Sequence, residues 1–168
     1  MSQGYYLQAL SGAIKAILPA KCHKDFDAWM QDGSVRLTPK HGGNGVQLAR
    51  LDYQAVFLIE DLPFKELDPA WVLATVAAWL QDFDAEREQF ELPDPEYDVE
   101  PIDERTADLT ISVQFSEPLY LLPDALGPIT YGGKQYSVAP YDVWVAERGQ
   151  LWVNEHGPYP LEVSRDPV

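Results

Sequence analysis

The order of apolar and polar residues divides the chain into a helical beginning and a β-rich remainder. Tyr6, Leu7, Leu10, Ile14, Ile17 and Leu18 recur at the spacing of one helix face. That predicts an amphipathic helix with Ser2 as its cap and Pro19 as its stop. Phe26, Trp29 and Met30 fall on one side of a shorter helix predicted over residues 20–31, broken by Asp32-Gly33. At Leu48 the period changes to two: Tyr53, Ala55, Phe57 and Ile59 alternate with Asp52, Gln54, Val56 and Leu58. This predicts a strand covered on both sides over part of its length.

A second helix opens at Asp68-Pro69, a capping carboxylate followed by a proline at the first helical position. It runs through Trp71, Val72, Val76, Trp79, Leu80 and Phe83 and is apolar over much of its circumference. Such a helix is expected to be buried against the sheet. Leu109, Ile111, Val113 and Phe115 then alternate with Asp108, Thr110, Ser112 and Gln114, the clearest strand of the chain. Ile129–Tyr131 and Lys134–Val138 flank Gly132-Gly133 as a hairpin, and residues 141–153 predict a second hairpin folded at Arg148-Gly149. Together these elements predict one α+β domain over residues 1–155. Its mixed or antiparallel β-sheet carries two to three helices packed on it and ends in C-terminal β-hairpins. Residues 156–168, with Pro158, Pro160 and Pro167, predict a loop or mobile tail.

Composition sharpens this picture mainly through charge. A hydrophobic fraction of 46% over 168 residues suffices for one core. Twelve Lys and Arg stand against 27 Asp and Glu, a net charge of −15. Such a chain repels phosphate backbones and anionic lipid surfaces, so neither nucleic acid nor a membrane is an expected partner. The charge keeps a free subunit soluble, or steers it to a basic surface. Residues 81–108 hold twelve carboxylates, from Asp82 to Asp108, against only Arg87 and Arg105, and carry about two thirds of the net charge. The apolar run Trp71–Leu80 is too short to span a bilayer. No basic region followed by a long apolar run stands at the N-terminus, and the lone Cys22 fits a reducing compartment. Both predict a cytoplasmic protein.

No motif assembles the parts of a catalytic or cofactor site. The glycines of residues 41–45 lack a following Lys-Ser or Lys-Thr, and Gly132-Gly133-Lys134 is followed by Gln135, so neither is a phosphate loop. Cys22 and His23 are neighbours, about 100° apart on a helix, and do not face each other. His23, His41 and His156 form no short pair, so no metal site is expected. Asp94, Glu96, Asp98 and Glu100 would share one side of an extended segment and could attract calcium or a basic partner. The prolines at 93 and 95 make a solvated loop the default, and the central glycine of a calcium loop is missing. The chain is therefore expected to be no enzyme and to use no cofactor.

The order of several segments carries a resemblance. A short N-terminal helix leads to Phe26-Asp27-Ala28-Trp29 and Asp32-Gly33-Ser34-Val35, then to the strand Tyr53–Ile59 and the helix ending Ala78-Trp79-Leu80. Last comes residues 107–117, in which Asp108 opens an alternating strand that closes on Glu117. Over residues 5–120 this order resembles the tail completion protein R family of P2-like contractile-tailed phages. The resemblance implies a structural role without catalytic residues, finishing or capping the head-proximal end of the tail. It implies other tail or head-tail connector proteins as partners, and residence in the host cytoplasm during assembly and then in the virion tail. A homo-oligomeric ring follows by analogy alone. The expected protein contacts are Trp29, Asp94, Glu96, Asp98, Glu100, Trp144 and Trp152. An alternative from another class is a small acidic decoy whose carboxylates, over residues 82–104, mimic nucleic acid and occupy a basic binding surface.

Overall fold

A computed structural model describes residues 5–42, 45–139, 148–151 and 161–164. Helix α1 (Tyr5–Ile17) places Leu7, Leu10 and Ile14 in the core. A short 3-10 turn, Ala20–Asp25, follows and tucks Cys22 beneath it. The chain then enters two long strands, β1 (Phe26–Gly42) and β2 (Gly45–Leu62), paired antiparallel in one hairpin. At its turn a Cβ on Gly45 would come within 2.6 Å of the Leu121 carbonyl oxygen, so the close approach of that backbone requires glycine there.

Strand β1 corrects the helix expected over residues 20–31. Only its first half, Ala20–Asp25, is helical, and from Phe26 onward the residues pair with β2, Phe26 opposite Ile59, Ala28 opposite Phe57 and Met30 opposite Ala55. Phe26 and Met30 suit a period of two as well as one of 3.6, and the β2 edge supplies a hydrogen-bond partner for every second backbone group. Asp32 is not a terminator. It occupies a bulge at φ 52 inside the strand, a conformation that Asp tolerates better than most residues.

Helix α2 (Pro69–Phe83) begins as its sequence predicts, with Asp68 Oδ1 accepting from the Ala70 amide at 2.9 Å. The acidic stretch after it divides into a turn-rich loop and a strand, β3 (Glu96–Pro101). Strand β4 (Ala107–Pro123) pairs with β2 along nearly its whole length. Strands β5 (Ile129–Tyr131) and β6 (Lys134–Val138) form the expected hairpin, with Gly132 and Gly133 at φ 57 and 76. Both values belong to the tight turn that matches strand twist. The sheet runs β1-β2-β4-β6-β5, with β3 also on β4, and all its pairings are antiparallel. Bulges in β1 and β2 curl it.

Both helices cover one face, called inner here. Tyr53, Ala55, Phe57 and Ile59 of β2 and Leu109, Ile111, Val113 and Phe115 of β4 meet α1 and the Val72, Val76, Trp79 and Leu80 side of α2. A smaller cluster of Val46, Leu121 and Tyr136 fills the far end of the sheet. The expectation that α2 is buried against the sheet holds, through that side of the helix. Ala70, Trp71, Ala74, Ala77 and Ala78 on the opposite side are exposed, because the sheet forms a single layer beneath the helix.

Strand β7 (Arg148–Leu151) pairs antiparallel with β8 (Leu161–Ser164). Arg148-Gly149 is therefore strand and not the turn of a hairpin. The alternation Leu161-Glu162-Val163-Ser164, between prolines, is itself a short strand pattern.

Candidate functional site

Among the described residues the outer face of the sheet carries no helix, and alternation decides what it displays. Partners directly opposite in a ladder lie on the same face. Trp29 of β1 stands opposite Val56 of β2, Val56 opposite Ser112 of β4, and Ser112 opposite Glu96 of β3. These four make one cross-strand row, with Trp29 and Glu96 three strand spacings apart, about 14 Å. The next row runs Asp27, Leu58, Thr110, Asp98, and beyond it Glu100 faces Asp108. Four residues expected from sequence to make contacts, Trp29, Glu96, Asp98 and Glu100, thus share one face, although Val56 between them is buried.

The local chemistry follows from position. Glu96–Pro101 is exposed throughout, and its other edge pairs with nothing among the described residues. Carboxylates two residues apart on this strand are about 6.8 Å apart, close enough to add their fields and too far to share one ion tightly. Among the described residues no three His, Cys, Asp or Glu side chains converge as a metal site requires. Asp94 is exposed just ahead of the strand. Trp29 is 40% exposed, its indole N–H donating to Gln31 Oε1 at 3.2 Å, and Gln31 bonds in turn to Gln54 at 2.8 Å. Trp144 and Trp152 lie outside the described residues.

The loop between α2 and β3 builds a second polar assembly that sequence reasoning missed. It wraps the edge of β4, held by Arg87, which pairs with Asp84 at 3.1 Å and donates to the carbonyls of Gln114, at 2.8 Å, and Pro93. On the outer side it covers Arg50, a cation only 5% exposed. The Arg50 guanidinium bonds to Ser116 Oγ (2.9 Å), the Ser116 carbonyl (2.7 Å) and Glu86 (2.8 Å), with the Phe90 ring centroid 4.0 Å away. A buried cation is tolerated when every donor finds such a partner.

On the inner side Glu117, 1% exposed, accepts from the Tyr53 hydroxyl and the Tyr6 amide, each at 2.6 Å. Burial pushes the Glu117 and Asp84 carboxyls above their ordinary range, against the pull of those hydrogen bonds and of Arg87 respectively. Burial likewise raises the Tyr53 phenol. Asp108 also binds backbone, its Oδ1 accepting from the Asp61 amide at 2.9 Å, beside the β2 bulge. The two acidic residues that bracket the alternating strand therefore tie β4 to α1 and to β2. A lone arginine in the apolar strand β2 was the available signal for the Arg50 assembly. Its partners are 36 and 66 residues away.

Among the described residues, neither Cys22 nor the histidines are placed for nucleophilic chemistry. Cys22 is buried, and desolvation pushes its thiol up, away from the reactive thiolate. His23 bonds through Nε2 to the Lys15 carbonyl at 2.9 Å, near the end of α1. His41 stacks on Tyr131, and Gly132-Gly133 is the hairpin turn already described.

Comparison with known proteins places these features in a lineage. The family model for P2 phage tail completion protein R matches residues 4–140. An uncharacterized 19.2 kDa protein in the rep-hol intergenic region of Haemophilus phage HP1 is 29% identical over 154 residues, covering 91% of this chain and 93% of its own length. No solved structure matches the chain.

Proposed function

Because the chain belongs to the P2 phage tail completion protein R family, we propose that it finishes or caps the head-proximal end of a contractile tail, by protein–protein contact and without catalysis. It is a structural bacteriophage protein of tail assembly. Its partners in this reading are tail or head-tail connector proteins, met in the host cytoplasm during assembly, and it stays with the virion tail.

The observation that carries the surface assignment is the outer face of the sheet. It joins a half-exposed Trp29 and a partly exposed Leu58, on either side of a buried Val56, to a border of Glu96, Asp98 and Glu100. An exposed aromatic on the same face as a charged border suits a protein interface, the aromatic supplying contact energy and the charges supplying orientation and encounter rate. A basic border on the partner would complement it. Asp94 extends the same border.

The test is a phage or prophage lacking this gene, supplied with wild-type or variant protein. Wild type restores complete, infectious particles, and Trp29→Ala combined with Glu96→Lys and Asp98→Lys lowers their yield at least about tenfold. Full yield of complete particles without the gene would overturn the tail reading. A partner that duplex DNA displaces competitively would instead favour a nucleic-acid mimic.

A further inference from the structure

Strand β3 is an edge strand, paired with β4 on one side only among the described residues. Along its open side every second residue turns a backbone N–H and C=O away from β4. Such an edge is a template for another strand. It is also held in place at both ends. Asp103 Oδ1 accepts from the Arg105 and Thr106 amides at 2.7 and 2.8 Å, which fixes the turn between β3 and β4. Arg87 donates to the Pro93 carbonyl just ahead of the strand. The two faces of the edge differ in chemistry. Tyr97 and Val99 stand opposite Ile111 and Leu109 on the inner face, yet are 61% and 37% exposed. Glu96, Asp98 and Glu100 lie on the outer face, and none of these side chains has a hydrogen bond or ion pair among the described residues.

We propose that a different protein adds a strand to the open edge of β3, with Lys or Arg at alternate positions and apolar residues between them. Backbone hydrogen bonds hold that strand. Its basic residues stand across from Glu96, Asp98 and Glu100, and its apolar residues cover Tyr97 and Val99. Charge decides against a second copy of this chain. Antiparallel pairing of β3 with itself keeps both outer faces on one side, so carboxylate meets carboxylate wherever the strands overlap. The sheet's other free edge, β1, lacks the pattern. Its Arg36 is already bound to Asp52 at 2.7 Å, Lys40 lies past Pro39 and a register shift, and Asp27 and Asp32 would repel. Beyond residue 140, Asp142, Glu147, Glu155, Glu162 and Asp166 outnumber Arg148 and Arg165, so this chain's own C-terminal segment does not match either. The carboxylates that blunt β3 against a like edge are the ones that select a basic strand.

This inference rests on the tail reading, which makes the owner of the strand a tail or head-tail connector protein, and two probes separate their failures. The first is an end-blocked synthetic peptide, Lys-Val-Lys-Tyr-Lys-Val, titrated against the full-length protein. Methylating alternate amides of the peptide removes the donors along one of its sides and leaves its charge unchanged. Methylation on one side weakens binding at least about tenfold, and on the other side it changes little. Glu96→Lys with Asp98→Lys weakens binding at least about thirtyfold at low salt, a deficit that shrinks as salt is raised, while circular dichroism stays near wild type. Tyr97→Ala weakens it about threefold at every salt concentration. No binding, or equal binding of the two methylated forms, overturns strand addition and leaves the tail reading in place. The second probe is tails assembled without the protein. Wild type sediments with them, and saturating peptide displaces it. If the peptide binds as described but wild type does not sediment with the tails, the edge stands and the tail reading falls. If wild type sediments and the peptide does not displace it, the tail is bound elsewhere and the proposal is overturned. If wild type self-associates in ultracentrifugation and Glu96→Lys with Asp98→Lys disperses it, the occupant is a second copy and the proposed partner is wrong.

Discussion

Residues 84–92 and 94–100 hold four carboxylates each, and the fold uses the two sets differently. Two of the first group, Asp84 and Glu86, are bound in. Asp84 is buried against Arg87, Glu86 reaches Arg50, and Phe90 closes over that guanidinium. The second group is laid out, with Glu96, Asp98 and Glu100 in a row on an edge strand where each is exposed. Charge density alone therefore says little about what a charge does. A carboxylate within reach of a buried cation becomes part of the architecture, and one facing solvent becomes part of the surface that other molecules meet.

The difference can be broken from the bound-in side first. Arg50→Ala leaves Ser116 unpartnered and opens a gap beneath Phe90, so it should cost about 3 kcal/mol by denaturant unfolding. Phe90→Ala keeps the ion pair but removes the ring over it, and should cost about 1.5 kcal/mol in the same measurement. A loss below a few tenths of a kcal/mol in both would mean that the loop does not clasp the sheet.

Acidity gives a finer test. The folded-state pKa of Asp84 is raised above its ordinary 3.8, chiefly by burial. Its contribution to stability is therefore fully present below about pH 3.8 and is lost as pH rises through the folded value. The stability advantage of wild type over Asp84→Asn should accordingly shrink as pH is raised from 3.8 toward 7, in thermal melts at fixed ionic strength. A growing advantage would reverse the assignment. The smallest effect belongs to the laid-out group. Glu96→Lys and Asp98→Lys should each change stability by less than about 0.5 kcal/mol, since neither side chain is buried, while reducing the yield of complete particles.

Much of this molecule was legible in its sequence. The period of α1 and the cap of α2, the alternation of β2 and β4 and the glycine turn between β5 and β6 are local patterns, set by residues within a few positions of one another. The class of the fold follows from them, as do the acidic character of the chain and the phage tail family. Tertiary structure decided the rest because it depends on distant partners. Phe26–Met30 satisfies two periods, and pairing with β2 chose the strand. Arg50 and Glu117 acquire their roles from residues elsewhere in the chain. The row from Trp29 to Glu96 exists only because β2 and β4 lie between them in a fixed register. The sides of α2 could not be ranked from composition, since all are apolar. A single sheet layer covered one of them and left the other open.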